Sequence, residues 1–156
     1  MLLFHVRGIA YMMNAVGIDV SKGRSVVAVA RPDEVVASPF IVSHTQSGIH
    51  GLIDQLCSLE GNTRIIMEHT GRYYEPMAQC FSDAGFFVSA VNPKLIKDYS
   101  HNSLRKVKTD KADAKKIACY TLDNRLDLFQ YTGMDTLRKQ LKTMKFLHEA
   151  KDGCQE

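Results

Sequence analysis

Val16-Gly17-Ile18-Asp19-Val20-Ser21-Lys22-Gly23-Arg24-Ser25-Val26-Val27-Ala28-Val29-Ala30 is the stretch whose reading decides the fold. Two short apolar runs rich in β-branched residues flank a Ser-Lys-Gly turn, and the first run brings an acid, Asp19, to its end. That pattern predicts a β-hairpin. Glu34 to Val42, after the Pro32-Asp33 turn, continues as a third strand of a meander. Ile49, Leu52, Ile53 and Leu56 then recur at helical spacing, with Thr45 or Ser47 as the expected cap. After Gly61-Asn62, Thr63 to Met67 reads as a strand that delivers Glu68 at its end. Tyr73 to Ala84 reads as a helix closed by Gly85, and Phe86 to Val91 as a strand stopped by Asn92-Pro93.

The order is therefore β-β-β-α-β-α-β followed mostly by helix. Antiparallel strands followed by β-α-β units predict an α/β fold, a mixed five-stranded sheet with helices on its faces. In such a sheet chemistry belongs at the carboxyl ends of the strands, where Asp19 and Glu68 are expected.

With 156 residues, 45% hydrophobic and 24% charged, the chain has the composition of one ordinary globular domain. Its formal charge of +3 is only mildly basic. Cys57, Cys80, Cys119 and Cys154 form no C-x-x-C pair, and the six histidines show no H-E-x-x-H spacing, so no zinc site of the usual kind is expected. Three of the cysteines fall in apolar stretches and are expected to be free, small buried hydrophobes of a reduced cytoplasmic protein. No apolar run approaches the roughly 18 residues of a membrane span. Met1 to Met12 lacks a cationic opening and a cleavage site, and is read as a leader or a misplaced start, with residues 13–133 as the domain.

Two further acids, Asp110 and Asp113, lie in Lys108-Thr109-Asp110-Lys111-Ala112-Asp113-Ala114, which should open a helix capped by Thr109. Residues three apart share a face, and Ala114, Ile117 and Ala118 lie on or beside it, so the side carrying the acids is also the side that packs. Interaction with the helix dipole, worth about 0.3 to 1 kcal/mol, accounts for Asp110 but not for Asp113. Four carboxylates from two strand ends and one helix would repel one another in a half-buried site. Hard divalent cations, Mg²⁺ or Mn²⁺, are the natural neutralising partner. Two of them about 3.5 to 4 Å apart can activate an attacking oxygen and stabilise a leaving one.

Gly17-Ile18-Asp19-Val20-Ser21-Lys22, Met67-Glu68-His69-Thr70-Gly71, Asn92-Pro93 and the Lys108–Ala114 segment together resemble the amino-terminal domain of the DEDD transposases of insertion sequences, the relatives of the Piv invertase and of the bridge-RNA-guided recombinases. The similarity runs from about Met13 to about Gly133. It implies an RNase H-like, RuvC-type fold with Asp19, Glu68, Asp110 and Asp113 as catalytic metal ligands, and a guide RNA and a homo-oligomeric assembly as family traits. Family members continue through a coiled-coil segment into a domain that carries a serine nucleophile. Here Met134, Leu137, Leu141, Met144 and His148 begin a heptad-like stripe over 134–156 that is expected to be a truncated start of that segment.

Lys94, Lys97, Arg105, Lys106, Lys108, Lys111, Lys115 and Lys116 crowd the stretch around the last two acids. Beside a carboxylate cluster such cations suit a phosphate backbone, where they position nucleic acid without reading sequence. Lys22, Arg72, Tyr73, Arg105, Lys106, Lys108, Lys111 and Lys115 are the expected nucleic-acid contacts. Tyr74 is as well suited to the core, His69 to a structural hydrogen bond, and Ser100 and Ser103 to a loop with nothing to activate them. The leading expectation is thus a metal- and DNA-binding transposase domain working in the cytoplasm on the nucleoid. A stand-alone RuvC-like structure-selective endonuclease and a regulatory fragment that pairs with full-length transposase are the alternatives. The actin and sugar-kinase fold, which Gly17-Ile18-Asp19 also fits, needs a second similar domain for which there is no room.

Overall fold

Met13–Val20 forms β1, the central strand of the computed structural model, which describes residues 13–32, 38–100 and 109–133 together with 141 and 144. The Ser21-Lys22-Gly23 turn leads into β2 (Arg24–Ala30), with Ser21 N donating to Arg24 O at 3.0 Å and Gly23 supplying φ +76°, a conformation that only glycine adopts freely. β2 pairs antiparallel with β1 and with β3 (Phe40–Ser43). On its other side β1 pairs parallel with β4 (Asn62–Glu68), and β4 parallel with β5 (Phe87–Val91), so the sheet order is β3-β2-β1-β4-β5. Parallel neighbours require crossovers. Helices α1 (Gln46–Cys57) and α2 (Tyr74–Asp83) supply them. After β5 come α3 (Pro93–Ser100) and α4 (Asp110–Asp123).

This is the expected mixed five-stranded α/β sheet, with corrections at element ends. β3 begins at Phe40, beyond Pro39, which has no N–H to donate to a ladder; residues 33–37 of the expected strand lie outside the described residues. Asn92-Pro93 stops β5 and also starts α3. Pro93 occupies the first helical position, where its missing N–H costs nothing, and Asn92 Oδ1 accepts from Lys94 N at 2.9 Å. Ser100, expected in a loop, therefore closes a helix. Of the two candidate caps for α1, Thr45 is the one used, its hydroxyl accepting from Gly48 N at 3.1 Å. Among the described residues Cys57, Cys80 and Cys119 are free as expected but not fully buried: Cys57 and Cys80 are exposed and Cys119 half-buried. The expected leader 1–12, Ser103, Cys154 and most of 134–156 lie outside the described residues.

The two faces of the sheet are covered differently. Val16, Ile18, Val27, Ile65, Met67 and Val88 pack beneath α1 and α2, against Leu52, Leu56, Met77 and Phe81, in a core of large side chains. On the opposite face the residues are small: Ala15, Ala28 and Ala30 meet Ala114 and Ala118 of α4. At Gly17 the approach is closest. A Cβ there would stand 2.4 Å from both the Ala114 carbonyl oxygen and the Ala118 nitrogen. Asn14, fully buried at the start of β1, is satisfied by Glu60 O at 2.9 Å, Thr63 Oγ1 at 3.2 Å and Arg31 Nε at 2.7 Å.

Gly17→Ala forces backbone against backbone, with no flexible atom to give way. It should destabilise the fold by about 1 to 3 kcal/mol in urea unfolding. Gly51→Ala, in α1 with open space around the added methyl, should instead stabilise by about 0.5 to 1 kcal/mol.

Candidate metal centre and nucleic-acid interface

Alternation along the strands decides where the first two acids point. The β1/β4 register ends at Ile18 opposite Met67, and the next residues are Asp19 and Glu68. Each lies two residues beyond a position on the α4 side, Gly17 in β1 and Ile66 in β4, so both carboxylates share the face that α4 covers. Thr109 caps α4, its hydroxyl accepting from Ala112 N at 3.1 Å, and places Asp110 and Asp113 in the first turn. Ala114 and Ala118 hold that helix on Gly17, which brings the first turn alongside the end of β1.

The strand acids feel their neighbours. Half-burial pushes the Asp19 carboxyl above its usual range, and the charges of Asp110 and Asp113 push it further. Glu68 is raised by burial, then by Asp19 and Asp113, with His69 and Lys116 acting in the opposite direction. The α4 acids are each turned toward a protein cation. Asp113 Oδ1 lies 3.1 Å from Lys116 Nζ, and Asp110 Oδ2 lies 4.0 Å from Arg24 Nη2. Among the described residues no three His, Cys, Asp or Glu are close enough to hold one ion together. The donor set nevertheless fits a hard cation: four carboxylates at one end of one face, repelling one another and already drawing in positive charge.

The expected nucleic-acid contacts that fall on described residues are all exposed. Lys22 is exposed in the β1–β2 turn, and Arg72 and Tyr73 are exposed in the loop that follows Glu68. Lys111 and Lys115 are exposed on α4. Arg105, Lys106 and Lys108 lie outside the described residues. Tyr73 also lines a cleft of 620 Å³ between α1 and α2, on the far side of the sheet from α4. Tyr74 packs against the core, and the backbone N–H of His69 donates to Val91 O at 2.9 Å. Sequence reasoning did not single out Arg24 or Lys116 as partners of the acids. The three-residue spacing of Asp113 and Lys116 was the available signal for one of them; only the hairpin brings Arg24 to Asp110.

A carboxyl whose folded pKa exceeds its unfolded one contributes stability that is complete below the unfolded value and is lost as pH rises through the folded value. Asp19 and Glu68 therefore weaken the metal-free fold as pH climbs through and beyond the usual carboxylate range. In thermal melts without metal, Asp19→Asn should match the parent chain at the acid end and melt above it near neutrality. A parent chain that gains on the variant as pH rises would contradict the proximity of these acids.

No curated protein matches the sequence significantly. Among solved structures, T. thermophilus RuvC in complex with a Holliday junction substrate superposes with a TM-score of 0.53 at 14% identity, covering 76% of this chain and 99% of RuvC. The likeness establishes an RNase H-like, RuvC-type fold. A family model described as "Transposase", that of the DEDD transposases of IS110-type insertion sequences, matches residues 16–150, and the chain belongs to that family.

Proposed function

We propose that the domain is the metal- and DNA-binding catalytic half of an insertion-sequence transposase, acting in the cytoplasm on DNA. The observation that carries this reading is the convergence of Asp19, Glu68, Asp110 and Asp113 at one end of one sheet face, where burial and the neighbouring acids hold the Asp19 and Glu68 carboxyls above their usual range. Membership of a transposase family supplies the reaction class, and the RuvC neighbour is bound to a DNA junction.

In this reading Asp19 and Glu68 are the fixed ligands, because β1 and β4 are the inner strands of the sheet. Asp110 and Asp113 are delivered by α4. Divalent ions held there, Mg²⁺ or Mn²⁺, supply polarisation of a phosphodiester and activation of the attacking oxygen. Lys22, Arg72, Lys111 and Lys115 place the phosphate backbone across the centre, with Arg105, Lys106 and Lys108 extending the same basic stretch. Tyr73 offers an aromatic surface for an unpaired base. A guide RNA and a homo-oligomer are the partners this reading expects. No helix among the described residues is long and apolar enough to cross a membrane.

Three measurements test the proposal. Mn²⁺ should raise the melting temperature of the parent chain, and Asp19→Asn should abolish that rise. Binding to a four-way DNA junction should weaken steeply with salt, and Lys22→Ala, Lys111→Ala and Lys115→Ala combined should lower the salt slope by roughly 2 to 3. Junction nicking in Mg²⁺, lost in Glu68→Gln, would favour the endonuclease alternative for the isolated domain. Full metal response in Asp19→Asn would defeat the proposed centre.

A further inference from the structure

We infer that Lys116 is a positioning residue of the acidic centre, a resident counter-ion that must leave Asp113 before a divalent cation can use that carboxylate. The inference rests on the reading of the four acids as a metal centre. Lys116 Nζ lies 3.1 Å from Asp113 Oδ1, and the two side chains are only 32% and 35% exposed, so water screens this pair less than an ordinary surface pair. The position of Lys116 is held by packing. Ile117 and Ala118, next along α4, are fully buried against the sheet and leave the helix no freedom to rotate. The Arg24–Asp110 contact is of a different kind, 4.0 Å between side chains about 60% exposed.

Like charges brought together by a fold need neutralising whether or not an ion is present. Lys116 does this for the metal-free protein with one positive charge tethered to the helix that carries two of the acids. It also turns Asp113 toward itself, which accords with the lack of any three acids at ligating distance among the described residues. An ammonium group and a hydrated divalent cation compete for the same carboxylate oxygen, so the lysine that steadies the empty centre lowers its affinity for metal.

The test is Mn²⁺ titration by calorimetry together with metal-free melting of the 156-residue chain. Lys116→Met should lower the metal-free melting temperature and tighten Mn²⁺ binding about two- to fivefold, the range expected for release of a partly solvated ion pair. Lys116→Gln, a milder change should the first variant fold poorly, should tighten binding in the same direction, and Lys116→Arg should retain the parent affinity. Lys94→Met removes an equal charge from an exposed position of α3 and should leave Mn²⁺ affinity nearly unchanged. Equal or weaker Mn²⁺ binding in Lys116→Met, alongside loss of binding in Asp19→Asn, would overturn the role of Lys116 alone. Tightening of the same size in Lys94→Met would reduce the effect to net charge and overturn it too. A parent chain that binds no Mn²⁺, or an Asp19→Asn variant that binds it undiminished, would instead remove the metal-centre reading on which the inference stands.

Discussion

The backbone of α4 lies on Gly17, and the arrangement of the acidic centre follows from that contact. A side chain at this position would meet the carbonyl of Ala114 and the nitrogen of Ala118 at 2.4 Å, so the helix can sit at this depth only over a glycine. The alanines around it, Ala15, Ala28 and Ala30 on the sheet and Ala114 and Ala118 on the helix, extend the same close approach. With larger residues α4 would ride higher, and its first turn would carry Asp110 and Asp113 away from Asp19. The sheet thus has one face built for stability, packed with Leu, Ile, Met and Phe beneath α1 and α2, and one face built for proximity.

Proximity has an electrostatic cost, and the fold meets it with charges of its own. Asp19 and Glu68 end inner strands and cannot move apart, and Asp113 is held on a helix that is itself held by Gly17. Lys116 and Arg24 supply the nearest compensation, one from within α4 and the other from the start of β2. The geometry is that of a cluster of acids assembled at one end but not closed on a common point. Away from it α3 is tied to α4 by Tyr99, whose hydroxyl donates to Asp123 Oδ2 at 2.5 Å and whose ring meets Tyr120 edge-on. Burial and that bond push the Tyr99 phenol well above its usual range, so it stays a donor at any physiological pH.

Much of this was legible in the chain itself. The hairpin at Ser21-Lys22-Gly23, the Thr109 cap, the helix face of Ile49, Leu52 and Leu56 and the closing Gly85 are local signals, readable because turn chemistry and periodicity act over a few residues. Asp19 and Glu68 could be set at strand ends for the same reason. The motifs around them, in order and spacing, were enough to indicate the family. Asn92-Pro93 was half read: the dipeptide stops a strand by local rules, but that it also opens a helix depends on what Ile96 finds to pack against, namely Ile66, Val91 and Ile117.

What the tertiary structure alone decided is which charges face which. Arg24 reaches Asp110 because the hairpin turn and the first turn of α4 meet over the end of β1, two segments far apart in the chain. The Asp113–Lys116 pair is allowed by its three-residue spacing on α4, but its half-burial is set by how that helix packs on the sheet. The cysteines make the same point in the opposite sense. Their apolar neighbourhoods predicted burial, yet helix rotation is set by the summed packing of α1, α2 and α4, and it leaves Cys57 and Cys80 in solvent and Cys119 only half covered. Sequence determines local conformation and chemical kind through short-range sterics and periodicity. Contact between distant charges is decided by how closely the layers approach, which here depends on a glycine and its ring of alanines.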